Sequence, residues 1–168
     1  MTLAYIGLGS NLGDRLSNIK RALHEIAAIA STKLTRISSA YDTDPVGPPQ
    51  PDFLNAACEV ETELEARDLL RHLKQIEALL GRTLSDEHWG PRVIDLDLLL
   101  YGSSIVCDDD VVIPHAELTN REFVMVPLLE MCPDLELPSG EPLSVYSSHG
   151  SNQIDGVRLS GPIGDAYT

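Results

Sequence analysis

Basic residues are scarce in this chain: twelve Lys/Arg stand against twenty-six Asp/Glu, a formal net charge of −14. Nucleic-acid phosphates need a basic face, so a nucleic-acid partner is not expected. Long apolar runs are also missing. No stretch approaches the roughly 18 residues of a membrane span, and the start, MTLAYIGLGSNLGDR, has neither a basic n-region nor a cleavage pattern. Cysteine is limited to Cys58, Cys107 and Cys132, odd in number and scattered. That excludes a disulfide framework or a zinc cluster and points to inert thiols in a reducing cytoplasm. Gly7, Gly9 and Gly13 of "GLGSNLG" lack dinucleotide-fingerprint spacing; they are read as a turn and a helix entry. No exposed apolar stripe is evident, so a monomer is expected.

What is present reads as one ordinary domain of 168 residues. "TLAYIGLGS" is a short apolar run ending in Gly-Ser, which fits a strand. In the following segment Leu16, Ile19, Leu23, Ile26 and Ala30 make the stripe of an amphipathic helix, with Asp14 near its positive end. "TKLTRISSAY" is rich in β-branched residues and predicts a strand. "DTDPVGPPQPD" holds four prolines and predicts a loop. "FLNAACEVET" alternates with the period of a strand. Leu69, Leu73, Ile76 and Leu80 mark the clearest helix, stopped by Gly81. "RVIDLDLLLYG" is the fourth strand.

The order β-α-β-β-α-β predicts an α+β, ferredoxin-like sandwich with an antiparallel sheet. Helices should cover one face and leave the other free for a site. Residues 104–114 predict an extra hairpin and "LTNREFVMVPLLEM" a short helix. Residues 1–146 are taken as the domain, and 147–168, polar and Gly/Ser-rich, as a flexible tail.

The segment "HWGPRVIDLDLLLYG" sets two aspartates among apolar residues. In a strand, Asp95 and Asp97 share a face with Val93, Leu99 and Tyr101, while Ile94, Leu96, Leu98 and Leu100 face the core. Their Cα atoms should lie about 6.6 Å apart. Anions this close resist ionising together. A divalent cation removes the conflict, and all-oxygen ligation favours magnesium. D-x-D alone is a weak signal and reads more readily as a solvated face with ordinary surface acids. Arg82, Arg92, His115 and Arg121 nearby in the chain add the cations that phosphoryl transfer requires. Phe53 and Asn55 share the non-core face of their strand, which suits a flat ligand stacked and hydrogen-bonded at its edge. The two phenylalanines, Phe53 and Phe123, and the single tryptophan, Trp89, all fall in these segments. His24 and His72 read as solvated helix residues.

"AYIGLGSNLGDR", "YDTDPVGPPQPDFLNAA", "IEALLGR", "HWGPRVIDLDLLLYG" and "IPHAELTNREFV", in this order, resemble the 6-hydroxymethyl-7,8-dihydropterin pyrophosphokinase family of folate biosynthesis. W-G-P-R-x-x-D-L-D is the most specific of them. The resemblance implies transfer of diphosphate from ATP to the hydroxymethyl oxygen of a reduced pterin, with release of AMP. It implies that Asp95 and Asp97 hold two magnesium ions and that Arg82, Arg92, His115 and Arg121 neutralise phosphate oxygens. Phe53 and Phe123 would sandwich the pterin, with Asp95 close by. Asn55 and the Thr43–Pro45–Val46 backbone would read its edge, and Trp89 would line the pocket. Lys74, Glu77 and Leu98 would fall along the ATP site. "TLSDEH" and "CDDD" are more acidic than the family pattern, and Ala116 replaces a bulkier residue. The rival classes are another D-x-D nucleotidyl or glycosyl transferase and a non-catalytic ligand-binding module.

Overall fold

The computed structural model describes residues 1–81, 91–148 and 156–164. Strand β1 (Thr2–Ser10) leads through Gly13, at φ +69°, into helix α1 (Arg15–Ala27). Asp14 caps that helix, its carboxylate accepting from the Ser17 amide at 3.0 Å. Ile19, Ala22, Leu23 and Ile26 are its buried stripe. The helix stops before Ala30, and Leu16 is partly exposed, so Ile29 takes the last core place.

The predicted second strand is two: β2 (Thr32–Ile37) and β3 (Ala40–Thr43), both antiparallel to β4 (Phe53–Thr62). The break has a chemical cause. Ser38 sits between them, and its hydroxyl accepts the Ala57 amide at 2.9 Å, a place the backbone ladder would otherwise fill. Helix α2 (Ala66–Leu79) buries Leu69, Leu73 and Ile76 and ends at Gly81, whose φ of +114° suits only glycine. Then come β5 (Asp95–Tyr101), the hairpin β6 (Val106–Cys107) and β7 (Val112–Ile113), helix α3 (Glu122–Met131) and a 3-10 turn, Leu143–Tyr146. Among the described residues no helix is long and apolar enough to cross a membrane.

The main sheet is antiparallel in every described pairing, in the order β5-β1-β4-β3-β8, where β8 is Val157–Gly161, and β2 also lies on β4. Strand β8 (Val157–Gly161) falls inside the segment expected to be a tail. That expectation is corrected for these residues: they form an edge strand, held by the ladder to β3.

Ala4, Ile6, Leu8, Leu54, Ala56, Leu96 and Leu98 join α1 and α2 in the main core. The opposite face is not left free. Tyr5, Ala57, Leu99 and Leu100 pack there with Met125, Leu128 and Leu129 of α3 and with Leu143. Each fully buried side chain of this kind contributes about 1.5–3 kcal/mol. Leu100 departs from its expected side because the β1–β5 register shifts between Tyr5 and Ile6, pairing Leu100 with Tyr5 and Leu98 with Ile6. The bulge reverses the alternation beyond Leu99. Helix α3 therefore roofs half of the second face, and the half toward Ser10 stays open.

Candidate active site

The open half is built on three strands in register. Gly9 pairs with Asp95 on one side and Asn55 on the other; Gly7 pairs with Asp97 and Ala57. Paired residues of adjacent strands point to the same face, and neighbouring strands lie about 4.8 Å apart. The two glycines thus leave a trough whose banks, two strand spacings or about 10 Å apart, are Asp95 and Asp97 on β5 and Phe53 and Asn55 on β4. This corrects the reading of Gly7 and Gly9 as turn residues. Both are in β1, and an added Cβ on Gly9 would lie 2.7 Å from Asn55 Oδ1.

The trough is a cavity of about 380 Å³. Of the residues singled out in the sequence, Thr43, Val46, Phe53, Asn55, Lys74, Arg92, Asp95, Asp97, His115, Arg121 and Phe123 line it. Gly7, Gly9, Asp44, Leu99, Glu117 and Val124 line it as well; the sequence reading placed Leu99 on this face and Asp44 within the Thr43–Val46 segment, but gave Gly7, Gly9, Glu117 and Val124 no part in the site. Pro45, Glu77 and Leu98 are not lining residues. Leu98 is 4% exposed and belongs to the main core. Arg82 and Trp89, with His88, lie outside the described residues.

On the acidic bank, burial and the neighbouring Asp95 charge raise the Asp97 carboxyl above its ordinary value, opposed by His115, Lys74 and Arg121. His115 Nε2 lies 3.8 Å from Asp97 Oδ1. The ring is oriented from behind: the Glu117 amide donates to Nδ1 at 3.2 Å, and the His115 amide donates to the Leu99 carbonyl at 3.0 Å. Nδ1 as acceptor leaves the proton of neutral imidazole on Nε2, the nitrogen facing Asp97.

Lys74 reaches over from α2, donating to the Leu96 carbonyl at 3.3 Å and pairing with Glu77 at 3.0 Å. Glu77 is buried and accepts the Leu96 amide at 2.9 Å. Burial raises its pKa, while Lys74 and that amide pull it down. The carboxylate therefore docks α2 on β5 and aims Lys74. Arg121, the residue before α3, has its guanidinium carbon 5.5 Å from the Phe123 ring centre and its Nε 3.9 Å from Glu117.

Arg92 is buried, and Asn11 holds its backbone: Asn11 Oδ1 accepts the Arg92 amide at 2.7 Å, and the Arg92 carbonyl accepts the Asn11 amide at 3.0 Å. The Asn11 Nδ2 group donates to Gln50 Oε1 and to the Pro51 carbonyl, both at 2.9 Å. One buried amide thus ties β1, the entry to β5 and the proline loop together. On the opposite bank, Asn55 Nδ2 donates to Thr43 Oγ1 at 2.6 Å, which turns Oδ1 toward Gly9.

Paired carboxylates, cations from separate elements and an aromatic-amide bank fit a phosphorylated ligand meeting a flat one. The model for the 7,8-dihydro-6-hydroxymethylpterin-pyrophosphokinase family matches residues 5–133. The chain belongs to that family. It is 44% identical over 142 residues to the 2-amino-4-hydroxy-6-hydroxymethyldihydropteridine pyrophosphokinase of Haemophilus influenzae, covering 84% of this chain and 88% of that one. To the Bacillus subtilis protein of the same name it is 42% identical over 135 residues, 80% of each chain. Among solved structures, Plasmodium falciparum HPPK-DHPS with pterin and p-hydroxybenzoate superposes with a TM-score of 0.69 at 15% identity, over 86% of this chain and 42% of that one. At that identity the likeness concerns the fold. Family membership makes the chain a pyrophosphokinase and the trough its candidate active site.

Proposed function

We propose that the enzyme transfers the diphosphate group of ATP to the hydroxymethyl oxygen of 6-hydroxymethyl-7,8-dihydropterin, releasing AMP. The observation that carries this is the strand register that sets Asp95 and Asp97 across a glycine floor from Phe53 and Asn55. The donor set fits magnesium: two carboxylates on one face of β5, one of them with its pKa raised by burial and by its neighbour's charge. Among the described residues no group of three or more His, Cys, Asp or Glu forms a self-sufficient cage. Magnesium commonly takes one or two protein carboxylates and completes its shell with water and phosphate oxygens. We assign two ions to this pair; when bound, they supply positive charge to the phosphates.

The chain's own residues do the rest. Lys74, Arg92, His115 and Arg121 offset charge spread over the phosphate oxygens, with Arg82 added on the family resemblance. Phe53 and Phe123 hold the pterin ring between them, and Asn55 and the Thr43–Val46 backbone hydrogen-bond its edge. The hydroxymethyl oxygen forms a bond to the β-phosphorus, the bond from that phosphorus to the α,β-bridging oxygen breaks, and AMP leaves. The hydroxyl proton passes to the medium. No covalent nucleophile is required, and positioning carries much of the acceleration. Trp89 at the pocket wall, Glu77 and Leu98 behind the nucleotide, a ferredoxin-like topology, a catalytic unit within residues 1–146, a monomeric state and a cytoplasmic site of action belong to the same proposal.

The decisive experiment supplies ATP, magnesium and the reduced hydroxymethylpterin together and singly. AMP and a diphosphorylated pterin are expected only from the complete mixture, and Asp97→Ala should abolish both while leaving the circular dichroism unchanged. Release of pyrophosphate or nucleoside diphosphate instead, or undiminished AMP formation by the variant, overturns the reading.

A further inference from the structure

The proline loop borders the trough through Asp44 and Val46, and its own backbone holds it poorly. Pro45, Pro48, Pro49 and Pro51 have no amide hydrogen to give. Gln50 Nε2 donates to the Pro48 carbonyl at 3.2 Å within the loop, and further ties run to other parts of the chain. Asn11 holds Gln50 and Pro51 on the β1 side, and Arg15 donates to the Asp52 carbonyl at 3.2 Å. On the other side stands β8, beyond the residues 5–133 matched by the family model.

Strand β8 pairs Thr43 with Val157 and Asp42 with Arg158, and the Asp44 amide donates to the Gly156 carbonyl at 2.9 Å. The Arg158 guanidinium forks. Its Nη1 donates to Asp44 Oδ1 at 3.1 Å and its Nη2 to Asp52 Oδ2 at 3.0 Å. Asp44 and Asp52 are the two ends of the loop, so one arginine spans its base. Without that cation, the Asp44 and Asp52 carboxylates at the loop ends lose the group that joins them, and Arg15, already paired with Asp42 at 2.8 Å, reaches Asp52 only at its carbonyl. Gly156, at φ +77°, leaves room for Asp44, whose Oδ2 would lie 3.1 Å from an added Cβ.

We infer that β8 is a strap on the pterin-side loop, with Arg158 as the positioning residue that closes it. Arg158 touches no reacting atom; it acts through Asp44 and the loop that Asp44 begins. The inference rests on the proposed pterin site for its catalytic consequence, and on the ion-pair geometry alone for the ordering of the loop. Half-exposed pairs are individually weak, so the expected effect is a several-fold change in substrate affinity and not a loss of activity.

The test uses the full-length chain and the variants Arg158→Ala, Arg158→Lys and Gly156→Ala. Steady-state AMP formation is measured with each substrate varied, alongside amide hydrogen exchange of the ligand-free proteins. Arg158→Ala should raise the KM for the pterin about three- to fivefold, with kcat and the KM for ATP within about twofold of wild type. Arg158→Lys should recover part of the loss, because it keeps the charge and loses the fork. Gly156→Ala should raise the same KM through the backbone. The Asp44 amide should exchange faster in Arg158→Ala, and added salt should move wild type toward the variant. An unchanged pterin KM, or equal rises in both KM values, overturns the strap. If the wild type makes no AMP, the proposed function fails instead, and the exchange rate of the Asp44 amide alone decides whether Arg158 orders the loop.

Discussion

Replacing Gly9 with alanine tests the glycine floor directly. The new methyl carbon would sit 2.7 Å from Asn55 Oδ1 and 3.6 Å from Phe53 Cδ1. The first distance is inside van der Waals contact, so the Asn55 amide must turn away. Turning breaks its 2.6 Å bond to Thr43 Oγ1, and both residues are buried. Leaving such a pair unsatisfied costs about 1–3 kcal/mol. Alanine returns about 0.5–1 kcal/mol by removing glycine's conformational freedom in the unfolded chain. Stability should therefore fall by no more than about 2.5 kcal/mol, a loss of less than about 10 °C in Tm.

Pterin binding should suffer more. Its edge partner is displaced and the floor is raised, and at about 1.4 kcal/mol per tenfold a loss of 10- to 100-fold in affinity is expected. Nucleotide binding to the β5 bank should change by about twofold or less. Titration calorimetry with each ligand, beside a thermal melt, reads these quantities. A double-mutant cycle isolates the cause: in the Gly9→Ala background, Asn55→Ala should add little further loss, since the amide is already out of place. Wild-type pterin affinity in Gly9→Ala, or fully additive losses in the cycle, would refute the reasoning.

Two other outcomes are expected. Phe123→Ala should weaken pterin binding by about tenfold or more, as stacking of a flat ring is worth roughly 0.5–1.5 kcal/mol beyond its burial, and ATP binding by much less, through the loss of the ring beside Arg121; equal losses for the two ligands would count against a sandwich. Asp97→Asn, melted in the presence of a chelator, should have a higher Tm than wild type. Its carboxylate is disfavoured by burial and by Asp95; a lower Tm would mean that His115, Lys74 and Arg121 outweigh that repulsion.

Periodicity explains what was legible in the sequence. Strand alternation in "FLNAACEVET" and the stripe of Leu69, Leu73 and Ile76 are local signals, and the elements stand where they imply. Asp95 and Asp97 share a face for the same reason. Helix α3 was harder, because "EFVMVPLLEM" is apolar nearly all round and buries Met125, Val126, Pro127, Leu128 and Leu129. It has no polar face to say which side of the sheet it covers. Strand β8 offered five residues, of which Arg158, Leu159 and Ser160 are exposed. Its order comes from the β3 ladder and the Arg158 fork, contacts more than a hundred residues apart in the chain. Gly7 and Gly9 were readable in part. Tyr5, Gly7 and Gly9 alternate with Ile6 and Leu8, which already places the glycines opposite the core. What they face depends on register with two distant strands, and no local pattern carries that.

The same geometry accounts for how so acidic a chain can receive a polyanion. At physiological ionic strength, charges much farther apart than about 8 Å are largely screened, so the overall excess of carboxylates matters less than the groups lining the trough. Those groups come from separate parts of the fold: Lys74 from α2, Arg92 from the entry to β5, His115 from the loop after β7 and Arg121 from the start of α3. Several are held by contacts away from the trough's carboxylate pair, Arg92 at its backbone by Asn11 and at its guanidinium by the Pro91 carbonyl, His115 by the Glu117 amide and Arg121 by the Phe123 ring. Held that way, they need little reorganisation when phosphate oxygens arrive. Asp95 and Asp97 do the opposite: their mutual repulsion is a cost of the folded state that His115, Lys74 and Arg121 offset in part, since the Asp97 carboxyl still stays above its ordinary value. The fold thus keeps fixed positive charge around an anionic pair, a field that on the proposed reading favours phosphate and metal together over either alone.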